Sequence, residues 1–260
     1  MKHEPFEALH DTARRDFASD NYAGMHPRVV EALAAANGGH QGAYGADDYT
    51  QRLQEVVRGH FGDDAIAYPV FNGTGANVLA LQSMLPRWGA VIAATTAHIH
   101  VDEGGAPERT GGLKLLTVET EDGKLTPELI DREAWGFGDE HRAQAGVVSI
   151  TQSSELGTLY TPDEIAAIAE HSHRLGLKVH LDGARLSNAA AALEARRLSM
   201  PARKGPAILS RPQFEGAGVV TGVVVVVVVA ASAAAAASDA ASAAVSAAAS
   251  AAAPVVAAAS

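Results

Sequence analysis

Short apolar runs alternate with helical stretches between residues 65 and 183, and this alternation constrains the fold more than any other feature. The runs are AIAYPVF (65–71), AVIAAT (90–95), LKLLTVE (113–119), AGVVSIT (145–151) and LKVHLDG (177–183). Helical patterns cover residues 26–39, 47–61, 74–85, 126–134 and 162–175. Apolar strands separated by helices indicate a parallel sheet covered on both faces. We therefore predict an α/β fold with a largely parallel sheet flanked by helices, and we expect ligands at the carboxyl ends of the strands.

The alternating pattern stops near residue 195, and beyond residue 215 the chain is almost entirely Val, Ala, Ser and Gly, with Asp239 its one charged residue. We therefore predict an N-terminal arm (1–25), a large domain (26–194) and a low-complexity tail (195–260) outside the domain core. The uncharged run from Gly216 to Ser238 is long enough for a membrane helix. Its Ala and Ser content and its lack of flanking aromatic or basic residues make a membrane span the less favoured interpretation.

The overall charge and the absence of cysteine exclude several classes of function. The formal net charge is -10, and no basic run is present, which argues against a nucleic-acid partner. With no cysteine, the chain has neither disulfides nor thiolate metal ligands, as is typical of a cytoplasmic protein. The first residues, MKHEPFEALHDTARRDF, lack the apolar core of a signal peptide.

The stretch NGTGAN (72–77) follows one predicted strand and opens a helix. The backbone N–H groups of Gly73, Thr74 and Gly75 could bind a phosphate there, because the first turn of a helix has unpaired donors and a positive dipole end. A simple glycine turn is the alternative interpretation.

The stretch TTAHIHVDEGG (95–105) follows the next strand and contains His98, His100, Asp102 and Glu103. One interpretation is metal ligation. A second is an imidazole that stacks on a planar cofactor and moves protons near neutral pH. Solvated loop residues are a third interpretation, above all for His100 and Asp102.

The stretch GLKVHLDGARLSNA (176–189) ends a predicted interior strand with Asp182, and Arg185 follows three residues later. The two could form a structural ion pair, or each could bind a ligand: Asp182 a protonated ring nitrogen and Arg185 a carboxylate. The three strand ends together supply what pyridoxal phosphate (PLP) bound to an amino acid requires.

Seven blocks of sequence resemble the low-specificity threonine aldolases, which are PLP enzymes of fold type I, the aspartate-aminotransferase-like superfamily. The resemblance covers about residues 14–194, and its blocks are ASDNYAGMHP (18–27), AYGADDYT (43–50), FNGTGANV (71–78), AHIHVDEGGAPER (97–109), DGKLTPE (122–128), SSELGTLYTPDEI (153–165) and HLDGARLSNAAAAL (180–193). It implies the large domain of such enzymes, with PLP as cofactor and no metal.

The resemblance also implies roles for individual residues. The residues expected to bind the cofactor are Gly73, Thr74, Gly75, His98 and Asp182. The substrate would contact Ser19 and Arg185 through its carboxylate, while Tyr44 would lie near the active site across a subunit boundary. His98 is the candidate catalytic base, and Glu103 is its candidate helper.

The implied reaction is the retro-aldol cleavage of a β-hydroxy amino acid, such as threonine, to glycine and an aldehyde. Another PLP-dependent lyase or aminotransferase is an alternative. A non-enzymatic fragment or binding remnant, tethered to a membrane by the tail, is an alternative of a different class. The resemblance implies a homodimer or homotetramer acting on a small amino acid.

The chain departs from the family pattern after residue 194. Such enzymes hold PLP as a Schiff base on a lysine about thirty residues beyond the Asp-Gly-Ala-Arg motif. The lysines here are Lys2, Lys114, Lys124, Lys178 and Lys204, and none has that setting. The family's small C-terminal domain is also unrecognisable, so we expect this chain to be a truncated large domain and inactive as written. The alternative is a divergent protein that binds the cofactor noncovalently or not at all.

Overall fold

The computed structural model describes residues 7–16, 22, 24–61, 63, 65–199 and 223–225. Residues up to Gly39 belong to one compact unit, and the sheet-containing unit begins at His40. Helix α1 (Pro27–Ala36) lies in the first unit. Pro27 occupies its first turn, where a missing N–H costs nothing, and the His26 side chain accepts a hydrogen bond from the Arg28 N–H.

A four-stranded parallel sheet forms the second unit, in the order β3-β2-β4-β5. Its strands are β2 (Gly89–Ala94), β3 (Lys114–Val118), β4 (Gln144–Thr151) and β5 (Lys178–Asp182). Every residue of β2 is buried, as expected for an interior strand covered on both faces. The predicted α/β class is thus confirmed, and each of these strands ends within one residue of its predicted boundary.

Among the described residues of the second unit, seven helices lie before, between and after the strands. They are α2 (Asp48–Phe61), α3 (Gly73–Met84), α4 (His98–Val101), α5 (Ala106–Arg109), α6 (Pro127–Asp131), α7 (Pro162–Arg174) and α8 (Leu186–Ser199). The predicted helix start at Thr161 is confirmed, since Thr161 and Glu164 form a reciprocal capping box.

Alternate residues of β2 point into two separate apolar clusters. Ile92 and Ala94 pack with Ile165 and Ile168 of α7. Val91 and Ala93 pack with a second group that includes Leu81 of α3. Because successive side chains of a strand face opposite sides, the sheet is sandwiched between these two helices.

The first predicted strand is much shorter than expected. Residues 65–71 were expected to be extended throughout, but β1 covers only Ala65–Ala67. Pro69 has no N–H to donate to a ladder. Strand β1 pairs in parallel with β6 (Val223–Val225) rather than with the four-stranded sheet.

The tail remains largely outside the described residues, so its predicted character is untested there. Within the described part of the chain, no helix is long and apolar enough to cross a membrane.

Candidate active site

A hydrogen-bonded group of polar side chains lies at the carboxyl edge of β2, β4 and β5. Its members are Asn77, His98, Glu103, Glu155, Asp182 and Arg185. We call this group the strand-end cluster. Four of its members were predicted from sequence, and the structure brings these four together.

His98 and Glu103 form the first contact of the strand-end cluster. Strand β2 ends at Ala94, and His98 begins the short helix α4. Its Nδ1 lies 3.0 Å from Glu103 Oε1. The Glu103 side chain has no exposed surface, whereas the His98 side chain is 39% exposed. The carboxylate therefore lies behind the imidazole, which has its own access to solvent.

Asn77 connects Glu103 with Asp182. The Asn77 Nδ2 group donates to Glu103 Oε1 at 2.7 Å and to Asp182 Oδ2 at 3.0 Å. Asn77 lies in α3, one helical turn after Gly73, and is itself 6% exposed. The second oxygen of Glu103, Oε2, is buried and has no hydrogen-bond partner. An unpaired buried carboxylate oxygen is costly.

Asp182 is the last residue of β5, and both of its carboxylate oxygens accept hydrogen bonds. Oδ1 accepts from the Ala184 N–H at 3.0 Å, while Oδ2 accepts from Asn77. Its backbone carbonyl accepts from the Gln152 N–H at 2.9 Å. The two side-chain contacts fix the carboxylate from α3 and from the following turn, and the backbone contact joins the end of β5 to the segment after β4.

Arg185 is held by the segment that follows β4, not by Asp182. Its Nε and Nη2 donate to the Ser153 carbonyl at 3.1 and 2.9 Å, and Nη2 lies 3.3 Å from Glu155 Oε1. The described contacts include no ion pair between Asp182 and Arg185, so the structural-bridge interpretation has no support. Glu155 Oε1 also accepts from the His98 backbone N–H at 3.2 Å.

The amino end of α3 provides unpaired donors one turn away from Asn77. Asn72 caps this helix by accepting from the Gly75 N–H at 2.8 Å. Among the described contacts, neither the Gly73 nor the Thr74 N–H has an acceptor. A side chain at Gly73 would meet no atom within 4 Å, so an incoming group has room there. Gly73 and Thr74 fit the predicted phosphate contact better than Gly75, whose N–H is occupied.

His180 lies on β5, two residues before Asp182. It is buried, and its Nδ1 lies 2.8 Å from the Ser149 hydroxyl. Burial lowers the pKa of the His180 imidazole, and the negative charge of Asp182 opposes that shift. His180 is therefore a neutral residue behind the strand-end cluster.

The other residues predicted for the site are not part of the strand-end cluster. His100 and Asp102 are exposed. Tyr44 is also fully exposed and has a left-handed backbone, with φ of 60°. Ser19 lies outside the described residues. Across the residues that the structure describes, no group of three or more His, Asp or Glu side chains is arranged to hold a metal ion.

Sequence reasoning missed Asn77 and Glu155. Glu155 follows β4, so the rule that ligands bind at the strand ends could have identified it. Asn77 has only a weak signal, an amide amid the apolar residues of ANVLAL, where a buried polar group needs partners.

The chain matches the family model described as Beta-eliminating lyase over residues 16–256. It is 47% identical over 180 residues to the low specificity L-threonine aldolase of a Pseudomonas species, covering 69% of this chain and 52% of that protein. The low specificity L-threonine aldolase of Saccharomyces cerevisiae is 30% identical over 184 residues, which are 69% of this chain and 46% of the yeast protein.

A solved structure shows the same similarity. The threonine aldolase of Leishmania major superposes with a TM-score of 0.60 at 30% identity, covering 66% of this chain and 50% of that chain. The chain spans about half the length of the curated relatives it matches.

Proposed function

Because this chain belongs to the Beta-eliminating lyase family, we propose that its strand-end cluster is the active site of a threonine-aldolase-type lyase. The reaction is the cleavage of a β-hydroxy amino acid to glycine and an aldehyde. One observation carries the proposal: Asn77 joins Asp182 to Glu103, which in turn contacts His98. Residues expected to bind the cofactor ring and to move the proton thus share one network.

The cofactor indicated by the family is PLP, and the residues present fit it. Gly73 and Thr74 offer unpaired N–H groups and open space for the phosphate. Asp182, with both oxygens held by donors, would accept from the ring nitrogen. The buried Oε2 of Glu103 has no hydrogen-bond partner, so the site has an acceptor that a bound polar group could satisfy. When bound, the cofactor supplies an electron sink for the carbon whose bond is cleaved.

His98 would take the proton from the substrate's β-hydroxyl group. If its Nδ1–H donates to Glu103, then Nε2 is the unprotonated nitrogen and can act as the base. Loss of that proton lets the C–O bond become a carbonyl as the Cα–Cβ bond breaks. Glu103 fixes the tautomer of His98 and stabilises the imidazolium that forms.

Arg185 would bind the substrate carboxylate. Its Nε and Nη2 already contact Ser153 and Glu155, and the Arg185 side chain is 33% exposed. The Nη1 edge is therefore the part that remains for a carboxylate. Glu155 keeps the guanidinium at the strand end and also holds the backbone of His98.

We also propose that this chain holds PLP noncovalently and turns over poorly, because its described lysines lie elsewhere. Lys114 and Lys178 begin β3 and β5, at the end opposite the strand-end cluster. Lys124 binds Glu164 at 2.7 Å and the Leu159 carbonyl at 3.3 Å.

A cofactor titration and an aldehyde assay test these proposals together. PLP binding is measured by equilibrium dialysis on the native chain and on Asp182→Ala, and aldehyde release from L-threonine and L-allo-threonine is followed with an alcohol dehydrogenase. Binding that Asp182→Ala weakens, with little aldehyde, is the expected result. Release that requires PLP and is lost in His98→Phe would establish the lyase but contradict poor turnover.

Two further outcomes of this test refute one proposal each. A borohydride-stable pyridoxyl-lysine found by peptide mapping would contradict noncovalent binding. No PLP binding by the native chain would refute the proposed active site.

The site is also proposed to operate in a homodimer or homotetramer in the cytoplasm. Tyr44 and Phe71 are fully exposed aromatic residues, as expected of a surface that contacts another subunit. The absence of cysteine supports the location. Light scattering on the purified chain tests the assembly, and a monomer at all concentrations would exclude it.

A further inference from the structure

Asn77 is the one described side chain that hydrogen-bonds to both the Glu103 and the Asp182 carboxylates. We propose that Asn77 is a positioning residue that holds these two carboxylates in place, so that Asp182 can bind the cofactor ring while Glu103 orients His98. The inference rests on the proposed function, because it concerns how the same site holds PLP.

The geometry of the amide fits this role. Both acceptor oxygens lie within 3.0 Å of Asn77 Nδ2, and an amide NH2 group has two protons to donate. The two carboxylates are therefore close neighbours, with Glu103 buried and Asp182 half-buried, and like charges repel more strongly there than in open water. A neutral double donor between them offsets that repulsion without adding a third charge.

The two hydrogen bonds also set orientation. Without Asn77, the Asp182 carboxylate would keep only its bond from the Ala184 N–H, and the Glu103 carboxylate would keep only its contact with His98. Asn77 lies one turn from the unpaired N–H groups that open α3. A single helix would therefore place the phosphate donors and the Asp182 carboxylate relative to each other.

The location of Asn77 argues against a purely structural role. Its neighbours Ala76 and Val78 are buried, as are Ala80 and Leu81 further along α3. An apolar residue would pack in such a helix without needing a partner, whereas a buried amide requires its hydrogen bonds. The packing of α3 therefore does not require a polar residue at position 77, and the amide is explained by its hydrogen bonds to Glu103 and Asp182.

The test compares PLP binding by the native chain with binding by Asn77→Asp and Asn77→Ala. Asn77→Asp retains the shape but replaces the donor with a third carboxylate, so we expect the dissociation constant to rise at least about tenfold. Asn77→Ala should also weaken binding, but by less. Asn188→Asp, the same change on an exposed residue of α8, is the matched control and should change it less than about twofold.

Two readouts separate positioning from a general loss of stability. The ¹⁵N resonance of ring-labelled PLP reports the hydrogen bond of the ring nitrogen, and we expect it to shift in the bound fraction of Asn77→Ala. The double variant Asn77→Asp/Glu103→Gln removes one of the clustered charges, so it should recover part of the affinity lost in Asn77→Asp.

The outcomes are distinguishable from failure of the proposed function. Native binding that Asn77→Asp leaves unchanged would overturn this inference alone. So would weaker binding with an unchanged ¹⁵N resonance and no recovery in the double variant. If the native chain does not bind PLP, the proposed function fails and this inference fails with it.

Discussion

His180 gives the chain a predictable sensitivity to acid. The imidazole is buried in β5, and Ser149 of the neighbouring β4 lies 2.8 Å from its Nδ1. Burial lowers the pKa of His180, and the nearby Asp182 carboxylate only partly offsets this. His180 is therefore harder to protonate in the folded state than in the unfolded chain, where the pKa of histidine is about 6.5.

The sign and the size of the effect follow from proton linkage. Because the unfolded state binds the proton first, the free energy of unfolding falls as the pH drops below about 6.5 and continues to fall until the folded pKa is reached. If the folded state stays unprotonated throughout, the loss from pH 7.5 to pH 5.5 is about 1 kcal/mol. A smaller loss would mean that Asp182 stabilises the protonated ring.

Urea unfolding at pH 7.5, 6.5 and 5.5 measures this loss directly. His180→Asn is the informative variant, because its amide can occupy the position of Nδ1 beside Ser149 but does not titrate. We expect the difference in unfolding free energy between pH 7.5 and 5.5 to shrink by about 1 kcal/mol in this variant. His100→Asn, at an exposed position, is the control and should leave the difference unchanged. Identical pH dependence in the native chain and in His180→Asn would refute the reasoning.

Three stability predictions follow from other contacts, each measured by urea unfolding at pH 7.5. Gln152→Ala should lower the unfolding free energy by about 3 kcal/mol, because Gln152 satisfies both the N–H (3.0 Å) and the carbonyl (2.7 Å) of buried Tyr160; a loss below about 1 kcal/mol would show that water replaces it. Thr161→Ala should lower the unfolding free energy by about 1 kcal/mol, because it removes the capping box with Glu164. Thr161→Ser keeps the hydroxyl, and an equal loss in that variant would contradict a cap made by the hydroxyl. Gly123→Ala should cost at least about 1 kcal/mol, since Gly123 has φ of 78° and its added carbon would lie 3.2 Å from the nearest hydroxyl; no loss would mean that the turn relaxes.

The strands and long helices could be predicted from sequence because their signals are local. A run such as AVIAAT is apolar throughout and lies between helical patterns, so its burial on both faces follows from composition alone. The capping box at Thr161 is likewise contained within four residues. The predicted strand over residues 65–71 was longer than β1, because Pro69 has no N–H for a strand ladder. The short helices α4 and α5 were missed because four residues are too few to show a helical period.

The candidate site was predictable only where a residue's role follows from its place at a strand end. Asp182 ends β5 and His98 follows β2 by four residues, and parallel strands bring residues at their carboxyl ends to one edge whatever lies between them in sequence. Asn77 is different, since its partner Asp182 lies 105 residues away. Which face of α3 turns toward β5 depends on how Leu81 and its neighbours pack on β2, and no local pattern encodes that packing. Tertiary packing thus determines which residues hold the carboxylates in place. A substitution at Asn77 therefore tests a contact that the structure shows and that no local sequence pattern predicts.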